Sequence, residues 1–235
     1  MDKKSKVLSR KISKKLNNHY FGIILILIIS GITLGIITKH GYLLKFDLAI
    51  SHFIQAHQPL WFVRIMQVIS LVEFGQLFIV LPLFFYFLKK DKKIPAIFIL
   101  VAGLSWFLMR TLKILFSIPC PTCKQVQVLF LFHNLAQVLR NIHPNSFFTR
   151  GVCFPSGHVF DYTVLWGTIY TLAGQITDNK KFQKIIKILA IFLITSVGLS
   201  RISLGAHFAT DVVAGYLFGF AWLLILKYIY FSIKI

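Results

Sequence analysis

Long apolar runs separated by short basic turns set the pattern of this chain. The runs fall near residues 20–38, 71–88, 94–116, 158–177, 182–199 and 211–233. A helix needs about 20 apolar residues to cross the hydrocarbon core of a bilayer, so the pattern predicts about six transmembrane helices. Pro82 lies inside the second run and predicts a kink there.

Residues 47–69 follow a different rhythm. Phe46, Ile50, Phe53 and Ile54, then Trp61, Phe62, Ile65 and Ile69, recur at helical spacings interrupted by Pro59. The segment is too polar to span. It predicts either an amphipathic helix or helix pair on the outer membrane surface, or a packed extracytoplasmic lid without lipid contact.

Composition reinforces the membrane reading. The chain is 57% hydrophobic, against roughly half for a soluble domain. The expected fold is therefore all-α: one polytopic membrane helix bundle over 20–235, behind a basic tail at 1–19. The first run is too long for a signal-peptide core and no small-residue cleavage pattern follows it, so a retained anchor is expected.

The net charge of +19 changes the picture through its distribution. Lysines and arginines cluster in the tail (Lys3, Lys4, Lys6, Arg10, Lys11, Lys14, Lys15), in "KKDKK" after the second run and in "DNKKFQKIIK" after the fourth. No basic stripe is interleaved with aromatics, which argues against nucleic acid as a partner. Basic turns of this kind face the cytoplasm and its anionic lipid. The three alternate correctly to share one side. Both termini are then cytoplasmic, and residues 40–70, 117–157 and 200–210 lie outside a bacterial-type inner membrane.

Polar residues in so apolar a chain are costly, so their placement is informative. Three clusters stand out: "KILFSIPCP" at Lys113–Pro121, "FPSGH" at Phe154–His158 and "SRISLGAHFATD" at Ser200–Asp211. The topology derived from the lysines places all three at the outer face. Lys113 and Arg201 are fixed cations suited to phosphate oxygens. Ser156 and Gly157 open a helix whose amides suit an anion. His207 and Asp211, four apart, share a helix face, so the carboxylate can hold the imidazole in one tautomer. His158 is a second proton carrier. Together they suggest phosphoryl transfer without a metal. The rival is a metal site of His158, Asp161, His207 and Asp211. The 7 acidic residues do not supply the carboxylate set of a two-metal phosphatase, and Lys113 and Arg201 oppose a bound cation. No cofactor is expected.

The clusters resemble the signatures of the type-2 phosphatidic acid phosphatase superfamily: Lys-x6-Arg-Pro, Pro-Ser-Gly-His and Ser-Arg-x5-His-x3-Asp. The second is complete at Pro155–His158 and the third at Ser200, Arg201, His207 and Asp211. In the first, Lys113 and Pro121 hold their places but Cys120 stands where the family has arginine. The resemblance implies that His207 is the nucleophile of a phosphohistidine intermediate, oriented by Asp211. It makes His158 the acid for the leaving group and then the base for water, and it makes Lys113, Ser156, Gly157 and Arg201 the phosphate cradle. It implies a metal-independent membrane phosphatase acting on a lipid phosphate or diphosphate. The candidates are a polyprenyl diphosphate, lipid A phosphate, phosphatidylglycerol phosphate and phosphatidic acid. A lipid-to-lipid phosphotransferase and a non-catalytic lipid-phosphate binding or transport protein remain as alternatives.

The missing arginine calls for another cation. Arg150, shortly before "FPSGH", ranks first; Arg110, three residues before Lys113 on roughly the same face, is another candidate; Lys124 and Arg140 lie in the outer loop. All three cysteines fall outside, where a disulfide is plausible, and a bridge from Cys153 to Cys120 or Cys123 would pin the first two motifs together. Asp161, one turn after His158, either orients that imidazole or bonds within the bundle. His52, His57, His133 and His143 read as outer-surface residues or headgroup contacts, and Glu73 as an interfacial residue.

Overall fold

The computed structural model describes residues 3–71, 76–121, 125–127, 129 and 152–233. These form helices α1 (Lys3–Lys39), α2 (Leu44–His57), α3 (Leu60–Leu71), α4 (Gln76–Lys89), α5 (Lys93–Leu104), α6 (Trp106–Phe116), α7 (Gly157–Ile176), α8 (Lys180–Ser203) and α9 (Ala209–Ile233). The expected all-α bundle is what the sequence builds. The basic tail from Lys3 is helical and continuous with the first apolar run.

The expected count of about six spans is approximate, and among the described residues four stretches meet the length and hydropathy of a span. Tyr20–Lys39, Lys93–Phe116, Lys180–Ser203 and Ala209–Ser232 are long and apolar enough to cross a membrane. α4 is apolar and its described extent, Gln76–Lys89, is 14 residues, about 21 Å of helix at 1.5 Å per residue. It continues through Pro82. The third run is divided at Ser105. There the Ser105 hydroxyl donates to the Val101 carbonyl at 3.0 Å and accepts the Trp222 indole N–H at 2.6 Å. A serine bonding back into its own turn perturbs a helix in this way.

α7 is the central helix, packed against α5, α6, α8 and α9. Val159, Phe160, Tyr162, Val164 and Leu165 are fully buried along it. Lipid tails are as apolar as these side chains, so close packing rather than water exclusion holds such helices together. Gly215 and Gly219 on α9 permit that approach: a Cβ at 215 would lie 2.8 Å from the Ser156 carbonyl, and one at 219 would lie 3.0 Å from Thr163 Cβ. The small-xxx-small spacing thus seats α9 against the start of α7.

The two ends of the bundle differ. At one, Lys92 Nζ donates to the Gln175 carbonyl (3.0 Å) and the Tyr86 hydroxyl to the Ile176 carbonyl (2.9 Å). The lysine-rich turns before α5 and α8 therefore meet there. At the other end the three polar clusters gather, covered by α2 and α3.

Residues 47–69 form the helix pair, broken where Gln58 is extended ahead of Pro59. The polar side of the pair is bonded to the bundle. The Gln55 amide donates to the Gln127 and Ser203 carbonyls, and Gln67 Nε2 donates to the Leu129 carbonyl. Phe53, Leu60, Trp61 and Val68 remain exposed on the other side. The pair both packs on the bundle and presents an apolar strip outward.

Candidate active site

The site is assembled by three chain reversals. α6 ends at Ser117, whose left-handed backbone (φ 53°) turns the chain and whose N–H returns to the Lys113 carbonyl at 2.9 Å. The chain then pairs with the segment leading into α7. The Cys153 N–H donates to the Ile118 carbonyl at 2.9 Å, Pro119 bridges Val152, and a disulfide joins Cys120 to Cys153. Lys113 Nζ reaches across to the Val152 and Cys153 carbonyls at 3.1 and 3.4 Å. These bonds orient the ammonium across the gap between the two segments.

The second reversal is at Ser156, extended ahead of α7. Its N–H donates to the Asp211 carbonyl at 2.9 Å, and its own carbonyl accepts the Phe160 N–H at 3.1 Å. The amides of Gly157 and His158 precede that first intrahelical bond and so have no acceptor within the helix. Ser156 is fully buried and is not on the cavity wall.

The third reversal joins α8 to α9. Gly205 takes a positive φ of 66°. The Arg201 carbonyl accepts the N–H groups of both Ala206 (2.9 Å) and His207 (3.2 Å). Asp211 Oδ2 accepts the Phe208 N–H at 3.0 Å and lies 3.3 Å from His207 Nδ1. This arrangement places the proton on Nδ1 and leaves Nε2 with a lone pair. The Arg201 guanidinium donates to the Ser70 hydroxyl of α3.

A cavity of about 180 Å³ lies between these turns. Lys113, Gly157, His158, Arg201 and His207, all singled out in the sequence, line it together with Arg110. Asp211 stands behind His207, 1% exposed. Burial, then the positive charges of Lys113, Arg201 and His158, hold the His207 pKa well below the ordinary histidine value. The imidazole is therefore neutral near pH 7. Among the described residues no three His, Cys, Asp or Glu side chains are grouped to hold a metal. Arg150 and Cys123 lie outside the described residues, as do Glu73, Lys124, Arg140, His133 and His143.

Trp106 and Met109 also line the wall without a sequence signal, and Asp161, weighed as a partner for His158, as a bond within the bundle or as a metal ligand, lies there with them. Asp47 was missed outright. It is 1% exposed on α2, and it accepts the Thr210 N–H at 3.0 Å and the Thr210 hydroxyl at 2.7 Å. It thereby caps α9 from another helix, between His207 and Asp211. Burial raises its pKa, and the Thr210 bonds oppose that shift. A lone acid in an apolar segment was the available signal, since such a group requires a partner.

The PAP2 superfamily model matches residues 94–234, which contain every wall residue of the cavity. The chain belongs to the PAP2 superfamily. With its helices long and apolar enough to cross a bilayer, this PAP2 protein is an integral membrane protein. It is 33% identical over 87 residues to phosphatidylglycerophosphatase B of Bacillus subtilis (strain 168), a match covering 37% of this chain and 40% of that relative. Its fold matches the crystal structure of a transmembrane PAP2-type phosphatidylglycerolphosphate phosphatase from Bacillus subtilis. The TM-score is 0.68 and the identity 24%, over 90% of this chain and 96% of the other.

Proposed function

We propose that this PAP2 protein is a metal-independent lipid phosphate phosphatase working through a phosphohistidine. The observation that carries the reading is His207: neutral, backed by Asp211, and facing a cavity walled by Lys113, Arg201 and Arg110. The terminal phosphoryl group of a lipid sits between Lys113, Arg201 and the first amides of α7. His207 Nε2 attacks phosphorus, the bond from phosphorus to the lipid oxygen breaks, and His158 gives that oxygen a proton. Asp211 stabilises the positive charge on the phosphorylated ring. Water then attacks phosphorus, His158 takes its proton, and the N–P bond breaks to release phosphate and neutral His207.

The lysine turns at the opposite end of the bundle support an outer-face site with cytoplasmic termini. A headgroup at that interface reaches the cavity while its tails stay in the bilayer. The similarity to phosphatidylglycerophosphatase B supports glycerophospholipid phosphates among the substrates.

The test is phosphate release by the purified protein from phosphatidylglycerol phosphate, phosphatidic acid, a lipid A phosphate and a prenyl diphosphate, with and without EDTA. Release that survives EDTA and is lost in His207→Ala is expected. Absence of release from every lipid, or full release by His207→Ala, overturns the reading.

A further inference from the structure

Arg110 is a cation inside a membrane-spanning stretch, Lys93–Phe116. Its neighbours on α6, Phe107, Ile114 and Leu115, are exposed and apolar. A charge at such depth is costly and marks function by default. Arg110 is also held in place, because its guanidinium lies over the Trp106 ring, 4.7 Å from the centroid. Both residues line the same cavity as Lys113 and His207.

The helix geometry gives the cavity two tiers. α6 arrives at the site at its C-terminal end, so Arg110 lies about 4.5 Å deeper than Lys113, and Trp106 deeper still, at 1.5 Å per residue. α7 departs from the site at its N-terminal end, so Asp161 lies about one turn deeper than His158. The outer tier holds Lys113, Gly157, His158, Arg201 and His207, the residues assigned above to the transferred phosphoryl. The inner tier lies on the bilayer side, where the tail of a lipid substrate must lead. A substrate whose tail leaves by this tier would carry the group next to its scissile phosphoryl past Arg110, with Asp161 on the same wall.

Resting on the phosphatase reading above, we propose that Arg110, braced by Trp106, forms an inner anion subsite for a second phosphate on the lipid side of the scissile bond. The favoured substrates are then lipids with two phosphates. One source is a lipid diphosphate, whose leaving group is itself a phosphate. The other is a phosphodiester lipid ending in a phosphomonoester. Lipids with one phosphate present only an ester oxygen to this tier. A planar guanidinium suits a phosphate in two-point contact. In a lipid diphosphate it also stabilises the charge that develops when the bond to the transferred phosphoryl breaks.

The experiment measures kcat/KM for full-length protein in mixed micelles of fixed lipid fraction. A prenyl diphosphate is compared with the prenyl monophosphate of the same tail, and phosphatidylglycerol phosphate with phosphatidic acid of the same tails. Each ratio of two-phosphate to one-phosphate is read within a single preparation, so incomplete folding cancels. The wild-type ratio is expected above one, and Arg110→Gln lowers it by roughly ten- to a hundred-fold, with partial recovery in Arg110→Lys. A fall in one pair alone supports the subsite and identifies its source. Unchanged ratios in both pairs overturn the subsite while leaving the phosphatase reading intact. No release from any probe overturns the reading on which it rests.

Discussion

The Ser156 amide donates to the Asp211 carbonyl at 2.9 Å, so the second motif is hydrogen-bonded directly to the third. The bond fixes the start of α7 against the start of α9, and with it His158 against His207.

The Ser156 hydroxyl is left in an unusual position. It is buried and has no hydrogen-bond partner among the described residues. A buried unsatisfied hydroxyl costs about 1–3 kcal/mol. Ser156→Ala should therefore raise the thermal midpoint of the substrate-free protein. If the hydroxyl turns to phosphate in the complex, the same substitution lowers kcat/KM by roughly tenfold. Thermal unfolding and lipid kinetics on one preparation check both. A lower midpoint would show that the hydroxyl already has a partner.

His207 gives a pH prediction. Its pKa is held below the usual 6.5, first by burial and then by Lys113, Arg201 and His158. In the proposed mechanism only the neutral ring attacks phosphorus, so the acid limb of kcat/KM should lie below pH 6.5. Lys113→Gln removes one of the charges that disfavour the imidazolium. The pKa then rises, and the limb moves to higher pH as the plateau falls. Comparing both proteins on one lipid cancels the titration of the substrate itself. The same depression bears on stability: this group's contribution is full above 6.5 and declines as pH falls from there through the folded value. A limb that stays fixed in Lys113→Gln would remove His207 as its source.

The disulfide gives another. Cys120 and Cys153 close a loop of sequence separation 33, for which chain entropy gives about 3.7 kcal/mol at 25 °C. The bridge sits where Lys113 bonds the Val152 and Cys153 carbonyls, so it also holds the cation in place. Cys120→Ser is expected to lower the thermal midpoint and to reduce kcat/KM. Treating the wild type with reductant should reproduce both, and the double variant Cys120→Ser, Cys153→Ser should be insensitive to reductant. Wild-type activity unchanged by complete reduction, followed by thiol counting, would refute the coupling.

Much of this site was legible because lipid makes polar residues conspicuous. The lysine turns and the polar clusters fall at opposite ends of the bundle, and Lys113, Ser156, His158, Arg201 and His207 stand out in the sequence against apolar neighbours. Other features have no local signal. Cys120 and Cys123 are equivalent by spacing, and only the pairing of Ile118 with Cys153 selects the first. The division of the third run depends on a hydrogen bond between Ser105 and Trp222, 117 residues apart. Asp47 meets Thr210 across 163 residues.

That last pair predicts a positioning effect. Asp47→Ala leaves the Thr210 N–H and hydroxyl without their acceptor, at about 1–3 kcal/mol, and loosens the turn carrying His207. Asp47→Asn retains an acceptor and sheds a charge whose burial is unfavourable. Activity should fall in the alanine variant and recover in the asparagine one. The raised pKa means that the folded state favours the protonated carboxyl. Wild-type stability therefore carries a deficit that grows as pH rises through the folded value, and Asn does not share it. Unfolding midpoints followed upward from pH 4, just above the ordinary value of 3.8, should show Asp47→Asn gaining on the wild type as pH rises. A gap that widens in the opposite direction would mean the ionised form is the favoured one.

Gly205 offers the sharpest test of the turn itself. Its φ of 66° costs an L-residue about 1–2 kcal/mol. A Cβ there would also stand 2.1 Å from the Gln127 carbonyl oxygen, a backbone atom with little room to yield. Gly205→Ala must therefore shift either the segment at Gln127 or the turn, and the turn carries the Ala206 and His207 bonds to the Arg201 carbonyl. A displacement of His207 moves Nε2 off its line of attack, so kcat is expected to fall by about 10²-fold while the variant still inserts as a helical bundle. Gly22→Ala is the matched control: nothing lies within 4 Å of a Cβ at that position, and a helical alanine is favoured over glycine by about 1 kcal/mol. Circular dichroism and lipid kinetics on the two variants separate a general response to added methyls from one confined to the His207 turn. Equal activity in both would mean that the turn tolerates the displacement and that His207 is positioned from α9 alone.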